Sequence, residues 1–232
     1  MADAKKIVRL NYKAYLADVD ERLYDTTDAE AAKEAGIFNE KNTYAPLAYI
    51  YGSKNLFPAL SEAIEAAEVG KETSVVIPCE KAAGARNPKL VELHPIKEFY
   101  KREINPYPGL AVNLGNRTGV VMSVAAGRVK VDFNNQLAGH DLKYVFTITE
   151  EITGDVDKAK AVIEVNVGTS EGFDAAVEDG KVVITESETC KFDQNWAIAK
   201  YSIVADLRTV FGVDRVDFLQ IWDSGKKEDK KE

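Results

Sequence analysis

Side chains suited to covalent chemistry are few in this sequence and poorly spaced for it. Two histidines are present, His94 directly before Pro95 and His140 in a Gly139-His140-Asp141 turn. Both read as surface histidines. A His-Asp-Ser grouping in space stays open, but no nucleophile motif frames a serine. No Cys-x-x-Cys or His-x-x-x-His spacing offers a zinc set. No glycine-rich loop follows a strand to cradle phosphate, and Thr73-Ser74-Val75-Val76 reads as core strand. Cys79 and Cys190 lie far apart and read as reduced structural thiols. Neither a metal nor a cofactor is expected. What remains is an apolar and aromatic set around one carboxylate. Leu23-Tyr24-Asp25 puts a carboxylate that reads as buried directly after an aromatic. Tyr51-Gly52-Ser53-Lys54-Asn55-Leu56-Phe57-Pro58-Ala59-Leu60 is a glycine turn feeding an amphipathic segment. Val131 to Tyr144 runs from a short strand through a polar turn and Leu137-Ala138-Gly139 into an alternating strand. Each piece alone is weak. Tyr12, Tyr24 and Tyr144 taken singly are most often core aromatics. Asp25 is most often a turn or cap residue, and Leu47, Leu56, Phe57 and Leu60 are plain core.

These residues need elements to hold them. Lys6 to Tyr15 alternates as a strand, Asp18-Val19-Asp20-Glu21 turns, and the chain returns through Leu23 and Tyr24. Thr27 can cap a helix over Ala29 to Ala35, stopped by Gly36. Leu47 to Tyr51 is a short strand, and Leu56, Leu60 and Ile64 share one helical face. Thr73 to Ile77 is a strand ended by Pro78. After a loop at Ala82 to Pro88, strands are predicted over Leu110 to Leu114, Thr118 to Val124 and Arg128 to Phe133, with a helix-like turn near Phe99. An ordinary connection would be far shorter than this stretch of about fifty residues. Beyond residue 150 the spacing predicts a βββαβ unit. Ala161 to Val167 alternates, Ala175 to Thr185 is a hairpin around Asp179-Gly180, and Asp193 caps a long helix stopped by Gly212. That helix would bury Trp196, Ala199, Ile203, Leu207 and Val210. Val216 to Trp222 is the last strand.

In that order, the Tyr-Asp pair, the Gly52-to-Leu60 turn and helix, and the Leu137-to-Tyr144 segment resemble the FK506-binding-protein type of peptidyl-prolyl isomerase. The likeness is to the SlyD-like branch, most closely its long archaeal form, and covers roughly residues 5 to 150. It implies an α+β fold: an FKBP-like antiparallel half-barrel sheet wrapped on a helix, a small β-rich subdomain inserted in the flap, and a C-terminal α+β domain. The implied boundaries are 1–86 and 137–150 for the isomerase domain, 87–136 for the insert-in-flap and 151–232 for the last domain. The resemblance places Tyr12, Tyr24, Leu47, Leu56, Phe57, Leu60 and Tyr144 on the family's pocket positions and Asp25 on its carboxylate. The Phe57 N–H would donate to a substrate carbonyl, and Leu60 would form the floor. Ala83 departs from the pattern, because many members carry Tyr or Phe before the glycine of this loop. The loss of that wall and donor would cost roughly tenfold or more in rate. The histidine-rich tail of SlyD proteins is absent, so nickel handling is not implied.

Isomerising an X-Pro bond breaks no covalent bond; the barrier of roughly 20 kcal/mol is lost amide resonance. A catalyst need only favour the twisted amide, whose carbonyl is less polar. An apolar cup, one or two hydrogen bonds and no nucleophile suffice. The expected function is therefore a peptidyl-prolyl cis-trans isomerase and folding chaperone whose partners are unfolded or nascent polypeptides. In the insert, Val112, Leu114, Val121 and Met122 would grip apolar segments. The alternative is a holdase chaperone or binding protein with a weak or lost pocket, a reading favoured by Ala83. Residues 151–232 show no chemistry and suggest partner binding or a homodimer, with Trp196 and Trp222 read as core.

Composition agrees. The 232 residues are 45% hydrophobic and carry a net charge of −8, with the acidic excess mostly beyond residue 150. That acidity disfavours nucleic acid as a partner. No apolar run suits a membrane span, and Met1 to Lys6 shows no signal-type apolar region, so a cytoplasmic protein is expected. The closing Lys226-to-Glu232 segment, mixed in sign, reads as a solvated tail.

Overall fold

The computed structural model describes residues 5–178 and 180–222. Asp179 of the hairpin turn and the Lys226-to-Glu232 tail lie outside the described residues. The elements in chain order are β1 (Ile7–Leu16), β2 (Arg22–Thr26), α1 (Ala29–Glu34), β3 (Leu47–Ile50), α2 (Pro58–Ala66) and β4 (Glu72–Ile77). Next come β5 (Val91–Pro95), α3 (Ile96–Tyr100), β6 (Ala111–Leu114), β7 (Arg117–Ala125), β8 (Arg128–Asp132) and β9 (Leu142–Ile152). The chain closes with α4 (Asp155–Val167), β10 (Asp174–Glu178), β11 (Lys181–Thr185), α5 (Gln194–Phe211) and β12 (Arg215–Leu219). These form three sheets in an α+β arrangement. One has the order β2-β1-β9-β4 with β3 also paired to β1, one is β5-β8-β7-β6, and one is β10-β11-β12.

The chain divides into two compact units. One comprises described residues up to 14, then 25–75 and 144 onward; the other comprises 15–24 and 76–143. In the first, β3 runs antiparallel to the first half of β1, with Ile7 opposite Ile50 and Leu10 opposite Leu47. The period-2 alternation sends Ile7 of β1, and Ala48 and Ile50 of β3, into a core shared with α4 and α5. That core continues through Ile152, Ala159, Val162, Ile163, Val182, Ile184, Trp196, Ile203 and Leu207. Residues beyond 150 therefore bury their apolar face jointly with two strands of the first sheet.

Two local expectations are corrected. Ala161 to Val167 is helix, not strand, so the pattern after residue 150 is αββαβ rather than βββαβ. Asp155 and Asp157 occupy the positive first turn of α4, Ala159, Val162 and Ile163 bury one face, and Gly168 ends it with φ +81°. The α1 cap is Asp28 rather than Thr27: the Asp28 carboxylate accepts from the Glu30 and Ala31 N–H groups at 3.0 and 3.2 Å. Thr27 instead prolongs the β1 ladder, its N–H donating to the Tyr12 carbonyl at 3.1 Å.

α5 follows its expected pattern: the Asp193 carboxylate caps it, Gly212 closes it in the left-handed region, and Trp196, Ile203, Leu207 and Val210 are buried. β11 and β12 pair in parallel, which a crossover through α5 permits. Trp222 is not core as expected. It is 63% exposed, with its ring edge-on to Phe192 at 6.0 Å.

In the second unit, β5 is a strand that the sequence pattern did not mark. It pairs with β8, and Phe99, Val112, Val121, Val129 and Val131 close a small core. Gly119 is obligatory there, since a Cβ would meet Phe133 and Val131 at 2.7 Å. Asp132, an acid with little exposure, ties the two ends of this stretch together. It pairs with Arg86 and accepts from the Asn134 N–H and Nδ2 at 2.9 and 2.7 Å. Asn134 also accepts from the Asn87 N–H at 2.8 Å.

Candidate active site

Tyr12 and Asp25 meet because β1 and β2 run side by side. Thr26, at the end of β2, is buried and donates its hydroxyl to the Tyr12 carbonyl at 2.9 Å, fixing the register. The Tyr12 hydroxyl then donates to Asp25 Oδ2 at 2.8 Å, and the Thr26 N–H donates to Asp25 Oδ1 at 2.9 Å. Both carboxylate oxygens are engaged. Burial, followed by the nearby Asp25 charge, raises the Tyr12 pKa far above the ordinary tyrosine value, so its proton stays in place. The Tyr144 ring lies 6.2 Å from the Tyr12 ring at 47°, which is aromatic contact range. Asp25 itself is exposed, which corrects the expectation of a buried acid.

Tyr12, Asp25 and Thr26 border a cleft of about 570 Å³, within the range of small-ligand sites, whose lining does not include Tyr144, Phe57 or Leu60. Tyr12, Asp25, Leu47 and Leu56 all line it, with Tyr49 beside them. Phe57 caps α2 and Pro58 takes the first helical position, where a missing N–H costs nothing. The Phe57 carbonyl accepts from the Leu60 and Ser61 N–H groups, while its own N–H has no acceptor among the described residues. Leu60 is 4% exposed, one turn into α2. The Gly52 turn is held by Glu65 of α2, whose Oε1 accepts from the Gly52 N–H at 2.8 Å and from the Tyr49 hydroxyl at 3.2 Å. Glu65 escaped the sequence reading because it lies on the polar side of the helical pattern. Tyr24 and Ala83 belong to the other unit. Tyr24 is half-buried in β2, and Ala83 is half-buried between the turn at Cys79–Lys81 and Gly84.

Two further groups line the cleft without any sequence signal. One is the loop Lys41 to Pro46, and the other is the end of α4, with Glu164, Val165 and Gly168. Arg9 connects them. Its guanidinium makes a bidentate pair with Glu164 at 2.9 and 2.8 Å and donates to the Pro46 carbonyl at 3.4 Å. The Glu164 hydrogen bond raises the Arg9 pKa above its ordinary value.

The four insert residues expected to grip clients are distributed differently. Val112 and Val121 are 3% and 1% exposed in the small core with Phe99, Val129 and Val131, so they are not open to a client. Leu114 is half-buried against that core. Met122 is 45% exposed because it falls at a β-bulge between Val121 and Ser123. Leu93, Tyr100 and Tyr107, which the sequence reading missed, are exposed as well. Neither histidine stands alone at the surface. His94 lies 3.2 Å from Glu92 and 3.4 Å from Glu98, and His140 lies 3.0 Å from Asp18. Among the described residues no group of His, Cys, Asp or Glu could hold a metal ion, and no helix is long and apolar enough to cross a membrane.

Known proteins resemble this chain in sequence. The family model described as FKBP26, IF domain, matches residues 92–137, and that described as FKBP26 C-terminal matches residues 155–223. A protein of Methanocaldococcus jannaschii named short-type peptidyl-prolyl cis-trans isomerase is 32% identical over 136 residues, 59% of this chain and 87% of that protein. A Pseudomonas fluorescens protein named probable FKBP-type 16 kDa peptidyl-prolyl cis-trans isomerase is 30% identical over 105 residues, 43% of this chain and 69% of its own length. With a pocket of this make-up and relatives matched over most of their length, the chain belongs to the FKBP type of peptidyl-prolyl cis-trans isomerases.

Proposed function

We propose that this chain isomerises X-Pro bonds of unfolded or partly folded polypeptides in the cytoplasm. The observation that carries this is the Tyr12–Asp25–Tyr144 group beside a cleft lined by Leu47 and Leu56. Asp25 fixes the Tyr12 ring rather than moving a proton, since rotation about the X-Pro bond transfers none. The apolar wall disfavours the polar planar amide relative to the twisted one. The Phe57 N–H donates to a substrate carbonyl, and Leu60 forms the floor. Residues 87–136 are an insert in the flap that captures clients. The exposed side chains Leu93, Tyr100, Tyr107 and Met122 are the gripping surface that replaces Val112 and Val121. Residues 151–232 mediate a homodimer through the exposed Phe192, Ile198, Tyr201 and Trp222.

A proline-limited refolding reaction tests the central claim. Catalytic amounts of protein should shorten a slow phase that unaided takes tens to hundreds of seconds. A second reading, a holdase with a weak pocket, is favoured by Ala83. Suppression of aggregation without acceleration of that phase would establish it over the isomerase.

A further inference from the structure

The cleft extends past the group assigned to the X-Pro bond. Its far wall is built from the Lys41-to-Pro46 loop and the last turn of α4. Three observations make this wall a built surface. The shared core of Ile7, Ala48 and Ile50 with Val162 and Ile163 fixes α4 against β3. Arg9 clamps Glu164 with two hydrogen bonds and donates to Pro46, so one β1 side chain aligns both parts of the wall. Gly168 ends α4 at φ +81° with no heavy atom within 4 Å of where a Cβ would stand. The wall is therefore rigid behind and open in front.

Its chemistry suits a polypeptide backbone. The last carbonyls of a helix lack intrahelical donors, and here, among the described residues, only the Glu164 carbonyl is taken up, by the Gly168 N–H. An extended chain passing Gly168 could donate its N–H groups to those that remain. Glu164 is already neutralised by Arg9, so the contact reads length of chain more than charge.

We propose that the end of α4 and the Lys41-to-Pro46 loop form a second subsite, which holds the polypeptide flanking the target proline. This rests on the cleft being the isomerase pocket. It makes the segment after residue 150 part of substrate recognition in its own protomer.

The test compares kcat/KM on a tetrapeptide and on a ten-residue peptide with the same X-Pro centre. Wild type should favour the longer peptide by about fivefold to tenfold, the size of one added hydrogen bond. Two variants alter the wall independently. Gly168→Asn adds a side chain that tolerates positive φ, and Thr43→Arg obstructs the loop. Each should bring the long-to-short ratio toward one. Adding the longer peptide should also shift the Gly168 and Thr169 amide resonances, and the tetrapeptide should not. A ratio of one in wild type, or an unchanged ratio in both variants with no resonance shift, overturns the subsite. Absence of tetrapeptide turnover in wild type would instead overturn the isomerase pocket itself.

Discussion

Replacing Ile163 by alanine should destabilise strands β1 and β3, although the residue lies far beyond them in sequence. Ile163 is fully buried in the core that also holds Ile7, Ala48 and Ile50. The change removes three carbons, about 2.4 kcal/mol at roughly 0.8 per methylene. The cavity left behind raises the cost to about 3–4 kcal/mol, inside the usual range for Ile→Ala. With a urea m-value of about 2–3 kcal/mol/M for a chain of this size, the midpoint should fall by about 1–2 M. Hydrogen exchange then locates the loss. Amides of β1 and β3 should lose protection together with those of α4 and α5, because one core serves all four. If β1 and β3 kept wild-type protection while α4 and α5 lost theirs, the segment after residue 150 would be an independent domain, and the shared core would carry no cooperativity.

Other outcomes follow from the same geometry. Tyr12→Phe, Asp25→Ala and Tyr144→Ala should each lower kcat/KM about tenfold or more, the scale of one lost transition-state contact, in proteins that still fold; full activity in any one refutes its place in the pocket. Replacing residues 87–136 by a short loop should leave isomerisation of small peptides and sharply reduce acceleration of protein refolding, since local substrate concentration is lost; equal losses would make the insert merely structural. Ala83→Tyr should raise turnover on short peptides by restoring a wall and a donor; lower turnover in a folded protein would reject the placement of this loop. Folding favours the protonated Tyr12, whose pKa is raised above the ordinary 10.0, so its contribution is intact below pH 10 and is lost as pH climbs above it. Alkaline melts of wild type should therefore fall more steeply above pH 10 than those of Tyr12→Phe, and equal slopes would refute the burial of this hydroxyl.

Local order carried much of the information in the sequence. The Asp18-to-Glu21 turn, the Gly52 turn and the α5 boundaries at Asp193 and Gly212 are local signals, and the structure has them. Helix α4 is hidden in the sequence because Ala161-Val-Ile-Glu-Val-Asn-Val167 alternates at period two by coincidence, while the helix buries Ala159, Val162 and Ile163 at spacings of three and four. Thr27 and Asp28 both suit a cap, and only the demand of β1 for Thr27 decides between them. The carboxylate of Asp25 was legible as a partner for an aromatic, but its exposure was not, because that depends on a cleft assembled from distant segments. The far wall of that cleft was illegible for the same reason: Arg9 and Glu164 stand 155 positions apart, and nothing near either announces the other.

The state of the cleft also limits how catalysis can work there. Asp25 accepts from the Tyr12 hydroxyl and the Thr26 N–H, and the Tyr12 proton is held against loss, so the Tyr12 hydroxyl offers no acid–base chemistry near neutral pH. None is required, because the reaction transfers no proton. A thousandfold acceleration needs about 4 kcal/mol. One donor to the substrate carbonyl, as proposed for the Phe57 N–H, would contribute about 1 kcal/mol net. The remainder has to come from the lower polarity of the twisted amide against an apolar wall and from holding the chain on either side of the proline. In the proposed pocket Leu47, Leu56 and the Tyr12 ring would supply that wall, and the lining behind Arg9 would make the holding cheap in entropy. Fixing the ring with a carboxylate, rather than activating a nucleophile with one, is therefore the use of Asp25 that fits a reaction with no bond to break.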